Sequence, residues 1–130
     1  MIALVFLPVL GGIICLVLKD RKSVSSIVAI VTAIASGSVL PFVIFEDASI
    51  ILGKWGVLGI GLAIDELTTP FLLSTFIVML AIILNSINKS YDGFFYALIL
   101  ILYGTLNSIF LSRDLFNIFV TVELASIISF

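Results

Sequence analysis

The last twelve residues of the chain, FVTVELASIISF at 119–130, place one carboxylate, Glu123, inside an apolar run long enough to lie in a lipid bilayer. Holding an ionisable side chain at the centre of a bilayer costs at least about 2.5–3.5 kcal/mol, so such residues usually face a protein interior or water and serve ions or protons. A carboxylate there can alternate between holding and releasing a proton when a cation moves away from it and back. The position of Glu123 within this apolar run therefore predicts a role in proton transfer.

One other polar side chain shares the helical face of Glu123. Residues three and four positions apart are neighbours on a helix, and of the residues so placed around Glu123 only Ser126 is polar. Ser126 is therefore a candidate supporting residue, and a cationic partner for Glu123 has to come from elsewhere. The sequence leaves open an alternative, in which a protonated Glu123 donates one hydrogen bond between helices.

The remaining polar residues of the apolar segments favour helix association over conduction. Such side chains join membrane helices by hydrogen bonds worth roughly 0.6–1 kcal/mol each; they are Asn107, Ser108, Asn117 and Thr121. The sequence has no His, no metal-ligand cluster, no phosphate-binding glycine motif and no nucleophile beside a base. We therefore expect no catalytic site, no metal site and no bound cofactor in this chain.

The composition is that of a membrane protein. Hydrophobic residues make up 62% of the 130 residues and charged residues 11%, whereas soluble domains have roughly 45–50% apolar and about 25% charged residues. Charged residues separate apolar blocks of about the length that crosses a hydrocarbon core, roughly 17–25 residues. The net charge of −2 is small and dispersed, so we expect lipid and other integral membrane subunits as surroundings, and no nucleic acid.

The apolar blocks predict an all-α membrane protein, a single domain built as a bundle of about five transmembrane helices. The predicted spans are 2–18, 23–45, 70–87, 93–111 and 115–130. Thr69 is a candidate N-cap of the third helix, and Pro70 suits its first turn, where a missing N–H costs nothing. In the second span, small residues such as Ser36 and Gly37 allow another helix to approach closely.

The segment between the second and third spans has the pattern of strands. Residues 59–64, GIGLAI, alternate small and branched side chains with a period of two. Residues 49–52 are a candidate partner strand, with a glycine turn at 53–56 and Trp55 at the membrane interface. The sequence predicts a short β-hairpin over about 49–65, with an irregular glycine-rich loop as the alternative.

Basic residues predict the orientation of the bundle, because Lys and Arg favour the cytoplasmic side. The loops after the first and third spans hold Lys19, Arg21, Lys22 and Lys89. The opposite side holds two basic and five acidic residues, Lys54, Arg113, Glu46, Asp47, Asp65, Glu66 and Asp114. We predict a multi-pass protein of the cell inner (plasma) membrane with its N-terminus outside and its C-terminus cytoplasmic. Glu123 then lies about 13–14 Å beyond Asp114, near the midplane of a core roughly 30 Å thick.

Two segments resemble one protein family. Residues 112–130, SRDLFNIFVTVELASIISF, resemble the fifth-helix motif of the antiporter-like membrane subunits of respiratory complex I, energy-converting membrane hydrogenases and Mrp-type cation/proton antiporters, and the resemblance is closest to the Mrp type. The matching positions are Asp114, Leu115, Phe116, Asn117, Phe119, Val120, Glu123 and Leu124. Residues 59–71, GIGLAIDELTTPF, are similar to the family's strand and the residues before its third helix, at Asp65, Leu67, Thr68 and Phe71.

The resemblance implies that the chain corresponds to the N-terminal portion of such a subunit, including the hairpin. It implies Glu123 as the key proton-pathway residue, with Asp65 and Asp114 as candidate supporting residues. Family members are far longer and pair this glutamate with a Lys on a later helix, whereas no Lys follows position 89 here. We therefore expect a separate chain to supply the remaining helices and the Lys partner of Glu123. A fragment of a longer chain is the alternative.

Two functions are consistent with these features. The first is the N-terminal part of a proton-translocating, antiporter-like subunit of a multisubunit complex, which couples proton movement, with sodium as a further candidate, to a redox reaction or an ion gradient. The second is a non-conducting assembly subunit of the same kind of complex, which docks its neighbours through small-residue faces such as that of Ser36 and Gly37. A self-contained channel or carrier ranks third, because one carboxylate without a basic partner makes an incomplete path.

Overall fold

Five α-helices and one small sheet form the protein in the computed structural model, which describes residues 1–44, 49–53, 59–89 and 91–130. The helices are α1 (Ile2–Val17), α2 (Lys22–Ile44), α3 (Thr68–Ser86), α4 (Gly93–Leu111) and α5 (Leu115–Ser129), and a 3₁₀ turn at Ile87–Lys89 follows α3. The strands β1 (Ser49–Leu52) and β2 (Ile60–Ala63) lie between α2 and α3. The five predicted helices and the two predicted strands are confirmed.

Three helical segments in the described part of the chain are long and apolar enough to cross a membrane. They are Lys22–Ile44, Thr68–Lys89 and Gly93–Leu111. The apolar helices α1 and α5 are shorter, at 16 and 15 residues, which is about 22–24 Å of helix against a hydrocarbon core of roughly 30 Å. Length and composition therefore associate the chain with a membrane through its three longer helices.

Helix α4 lies at the centre of the bundle and packs against each of the other four helices. Its buried side chains recur at spacings of three and four residues, the period of one helical face; they include Tyr96, Leu100, Tyr103 and Asn107. At Gly104, an added Cβ would lie 2.9 Å from the carbonyl oxygen of Val5. The backbones of α1 and α4 therefore approach each other closely because glycine stands at their crossing.

A proline in α1 is matched by a polar side chain of α4. Pro8 has no N–H, so the carbonyl of Leu4, four residues earlier, loses its ordinary helical hydrogen bond. Asn107 Nδ2 donates to that carbonyl at 2.8 Å. The prediction that Asn107 joins two helices is confirmed, and the bond satisfies a backbone group that the apolar interior would otherwise leave unpaired.

The small residues of α2 pack inside this chain. Ser36 is fully buried, and a Cβ at Gly37 would overlap the ring of Phe76 on α3. The close approach predicted for this face is therefore made by α3 of the same chain. This face was expected to dock partner subunits, but within this chain Gly37 is covered by Phe76 of α3, and Ser36 is buried beside Tyr103 of α4.

The hairpin strands pair antiparallel, with Ser49 opposite Ala63 and Leu52 opposite Ile60. Gly53, after β1, has a positive φ of 76°, a conformation that favours glycine. The rest of the predicted turn, including Trp55 and its place at the interface, lies outside the described residues. The outer edge of β2 meets the connection between α4 and α5, where Leu62 pairs with Ser112.

The two ends of the bundle differ in charge. At one end, the connections between α1 and α2 and between α3 and α4 meet, since Gly93 N–H donates to the Lys19 carbonyl at 3.3 Å and Lys22 pairs with Asp92 at 2.9 Å. The hairpin and the α4–α5 connection lie at the other end. The described residues of each loop group distinguished in the sequence therefore gather at one end of the bundle.

Candidate functional site

Glu123 lies near the middle of α5, on the side turned away from the bundle. Helix α5 packs chiefly against α4, and Thr121 is its one buried residue. At 100° per residue, Glu123 is about 200° around the helix from Thr121, and it is exposed. The predicted site residue therefore faces out of the chain.

The residues that flank Glu123 on its helical face are apolar and exposed. Phe119 and Ile127, four residues to either side on the same face, are 67% and 68% exposed. The ion pairs among the described residues are Lys22–Asp92 and Asp65–Arg113, and neither includes Glu123. Glu123 thus projects from an apolar surface with no cation beside it in the described part of the chain.

Ser126 is three residues from Glu123, but its hydroxyl already donates a hydrogen bond within α5. Its hydroxyl donates to the Val122 carbonyl at 2.9 Å, a bond to the residue four positions earlier that serines often make in helices. The oxygen of Ser126 keeps lone pairs and can accept a hydrogen bond. Ser126 can therefore support a protonated Glu123 as an acceptor.

An open groove of about 660 Å³ runs between α4 and α5 beside this face. Its lining is mostly apolar and includes Leu102, Leu106 and Ile109 of α4 and Val122, Ala125 and Ser126 of α5. Ser126 therefore belongs both to the face of Glu123 and to the groove.

Asp65, before α3, lies in a network of hydrogen bonds. Its Oδ1 accepts from Thr68 N–H at 2.7 Å and from the Thr68 hydroxyl at 2.6 Å, and its Oδ2 accepts from Arg113 Nη2 at 2.7 Å. Asp65 thus caps the first turn of α3, which begins at Thr68. The prediction of Thr69 as the cap was wrong, because the Thr69 hydroxyl donates to the Asp65 carbonyl at 3.3 Å and is not an acceptor for the helix start.

These contacts keep Asp65 ionised. The hydrogen bond from the Thr68 hydroxyl, followed by that from its N–H, lowers the pKa of Asp65 below the ordinary 3.8, and the positive charge of Arg113 acts in the same direction. A carboxylate that accepts such bonds is favoured in its charged form. Asp65 is therefore an anchoring anion at neutral pH and does not exchange protons there.

Asp114 caps α5. Its Oδ1 accepts from Phe116 N–H at 3.1 Å, and the Ser112 hydroxyl donates to its carbonyl at 3.1 Å. Asn117, in the first turn of α5, donates to the Ser112 oxygen at 3.0 Å. Asn117 was expected to join two helices, but it ties α5 to the preceding connection.

The structure brings together the two segments that the sequence singled out. Arg113 N–H donates to the Gly61 carbonyl at 2.8 Å, so the connection before α5 is held to β2 as well as to Asp65. Asp65 and Asp114 therefore belong to one network at the hairpin end, and Glu123 stands apart from it, about 13–14 Å along α5. The two aspartates position helices, whereas Glu123 and Ser126 lie farther along α5, three residues apart on one face.

A second polar cluster lies inside the bundle, and the sequence did not predict that its members meet. The Tyr103 hydroxyl lies near the side chains of Ser36 and Asn107, and these three residues are at most 1% exposed. Among the described residues, the Ser36 hydroxyl and the Asn107 carbonyl oxygen have no hydrogen-bond partner. The spacing of Tyr103 and Asn107 by four residues signals a shared face of α4, but no local pattern shows that Ser36 of α2 meets it.

Within residues 1–44, 49–53, 59–89 and 91–130, no three side chains of His, Cys, Asp or Glu are grouped as ligands for a metal ion. Comparison with known protein families and with curated proteins gave no family model and no protein that matches this chain.

Proposed function

We propose that the chain is the N-terminal part of a proton-translocating, antiporter-like subunit of a multisubunit membrane complex, with Glu123 as the residue that carries the proton. The observation behind this proposal is the exposure of Glu123 on the outer, apolar face of α5. In this proposal all five helices cross the plasma membrane, with the N-terminus outside and the C-terminus cytoplasmic.

The energetics of Glu123 favour a protein partner over lipid. Exposure of an ionisable group to the hydrocarbon costs at least about 2.5–3.5 kcal/mol, and no described residue of the chain offsets that cost. A cation on a neighbouring membrane chain would offset it, and a Lys is the partner that the family resemblance implies. The almost uncovered surface of α5, with Thr121 as its one buried residue, offers the room for such a neighbour.

Proton transfer then follows from movement of the cation. A nearby ammonium group favours the ionised carboxylate, and its withdrawal favours the protonated one. In the protonated state, Glu123 can donate to the Ser126 oxygen, whose own proton is held by the Val122 carbonyl. Glu123 thus takes up a proton when the cation leaves and passes it on when the cation returns.

The network at the hairpin end defines where α5 begins, and in this proposal that start sets the depth of Glu123 in the membrane. Asp114 caps α5, and Arg113 is bonded to both Gly61 and Asp65, so α5 begins at a defined place against β2. The likeness of 59–71 and 112–130 to antiporter-like subunits supports the proposal, since the two segments make these contacts with each other. Asp65 and Asp114 therefore support the proton pathway by holding the start of α5 in place.

The test is coupled transport by the complex reconstituted in vesicles, with Glu123→Gln compared with Glu66→Gln. Both changes remove one carboxylate, but Glu66 is an exposed residue before α3. We expect Glu123→Gln to lose at least about a hundredfold in proton-coupled flux, the lower end of the range by which removal of a proton-transfer group slows a reaction, while Glu66→Gln transports normally. Normal flux in an assembled Glu123→Gln complex would reject the proposal.

A non-conducting assembly subunit is the second candidate, and the open groove between α4 and α5 favours it. A helix of another subunit seated there would make α5 a docking element. In that case Glu123→Gln is silent, whereas Ala125→Phe, which fills the groove, releases the neighbouring subunit. Copurification of the other subunits with each variant separates the two functions.

A further inference from the structure

A cleft of about 290 Å³ opens at the basic end of the bundle, between the start of α2 and the residues that lead into α4. Polar side chains that line it are Lys22, Ser23, Ser26 and Tyr91, and apolar ones include Ile27 and Ile87. A second cavity of about 310 Å³ adjoins it and shares Lys22. The cleft is therefore amphipathic, and Lys22 stands between two open spaces.

The charge around the cleft is positive. Four basic residues, Lys19, Arg21, Lys22 and Lys89, and two acidic residues, Asp20 and Asp92, lie in the two connections at this end, which is a net charge of +2. Lys22 pairs with Asp92, but the two side chains are 57% and 68% exposed, and exposed pairs of this kind contribute little. Lys22 can therefore exchange Asp92 for another anion.

An apolar track leads from the cleft along α2. Ile27, which lines the cleft, is 60% exposed, and Val31 and Ile34 are 61% and 54% exposed. Spacings of four and three residues place these side chains on one face of the helix. A ligand held at Lys22 with a hydrocarbon chain would find a continuous apolar surface below it.

We propose that this cleft binds an anionic phospholipid. Lys22 and the hydroxyls of Ser23 and Tyr91 receive the phosphate of the head group, and an acyl chain lies along Ile27, Val31 and Ile34. The apolar track favours a lipid over free phosphate, which would use the polar mouth alone. This site requires only that α2 lie in a membrane, and it is independent of the role of Glu123.

The test uses the full chain in a neutral detergent, with bound phosphatidylglycerol and phosphatidylcholine counted by native mass spectrometry. The decisive variants are Lys22→Gln and Asp92→Asn, because both break the same ion pair while only the first removes the cation. We expect phosphatidylglycerol to bind in preference to phosphatidylcholine, Lys22→Gln to lower its binding by about fivefold, and Asp92→Asn to raise it. Lys54→Gln, which removes one positive charge from the connection between α2 and α3, should leave it unchanged.

Several results would overturn the site. Equal binding of the two lipids would show that head-group charge plays no role. An equal loss of phosphatidylglycerol binding in Lys22→Gln and Asp92→Asn would mean that the ion pair only holds the loops together. Displacement of phosphatidylglycerol by inorganic phosphate at equal concentration would make free phosphate the ligand. Helix content from circular dichroism establishes that each variant is folded, and Ile27→Gln should lower lipid binding without any change of charge.

Discussion

Arg113 and Asp65, 48 residues apart in the chain, form an ion pair in which Arg113 Nη2 lies 2.7 Å from Asp65 Oδ2. The pair joins the start of α3 to the connection before α5. Because its side chains are 52% and 38% exposed, the pair alone contributes little. It acts together with the backbone bond from Arg113 to Gly61, so that the helix carrying Glu123 begins at a defined place on the hairpin.

Acid should weaken this end of the protein through Asp65. Its pKa is lower in the folded chain than the ordinary 3.8, with the Thr68 hydroxyl bond as the main cause. A group whose pKa is depressed by folding contributes stability above its unfolded pKa, and that stability is lost as the pH falls through the folded value. We therefore expect the chain to lose stability below about pH 4, and Asp65→Asn to lose this part of the pH dependence.

Thermal unfolding of the detergent-solubilised chain between pH 7 and about pH 3 measures the effect. Glu66→Gln is the matched control, since Glu66 is the exposed carboxylate next to Asp65. An acid profile of Asp65→Asn identical to that of the unchanged chain would mean that Asp65 does not stabilise the fold in this way.

The bond from Asn107 to the Leu4 carbonyl should matter because Pro8 leaves that carbonyl without its helical donor. Asn107→Ala leaves the carbonyl unpaired in an apolar interior, so we expect a loss of about 1–3 kcal/mol in the free energy of unfolding. In a Pro8→Ala background, the N–H of Ala restores the helical bond, so the same Asn107 change should cost less.

A double-mutant cycle on unfolding in detergent gives the coupling between positions 8 and 107. A coupling of at least about 0.5 kcal/mol is expected for residues that share a partner. Equal cost of Asn107→Ala in both backgrounds would separate the two positions and leave Asn107 with a packing role alone.

Ser126 should assist proton transfer more than Ser129. Both hydroxyls are exposed and donate to the carbonyl four residues earlier, at 2.9 and 2.8 Å, but only Ser126 is three positions from Glu123. We expect Ser126→Ala to lower proton-coupled flux severalfold by removing an acceptor for the protonated carboxyl, and Ser129→Ala to leave it unchanged. Flux measured in reconstituted vesicles compares them, and equal rates for the two variants would assign Ser126 no part in the pathway.

Local patterns predicted the elements well because each pattern acts within a few neighbouring residues. Apolar runs between charged residues give the five helices, and the alternation at 59–64 gives β2. The error at Thr69 has a local cause as well, since Asp65 stands close enough to accept both donors of Thr68. Asp and Thr are both favoured at helix N-caps. Only the path of the chain before α3 decides that Asp65, and not Thr69, accepts the hydrogen bonds.

The sequence by itself determined that the chain belongs in a membrane, that it forms five helices and a hairpin, and that one carboxylate falls within an apolar helix. The tertiary structure decided that Glu123 faces outward, that Asp65 meets Arg113, and that Asn107 reaches the carbonyl of Leu4, 103 residues away. Composition and periodicity are properties of neighbouring residues, whereas these contacts depend on how the other helices pack around α4. The same packing covers Gly37 with α3, buries Ser36 beside Tyr103 of α4, and leaves the outer face of α5 exposed.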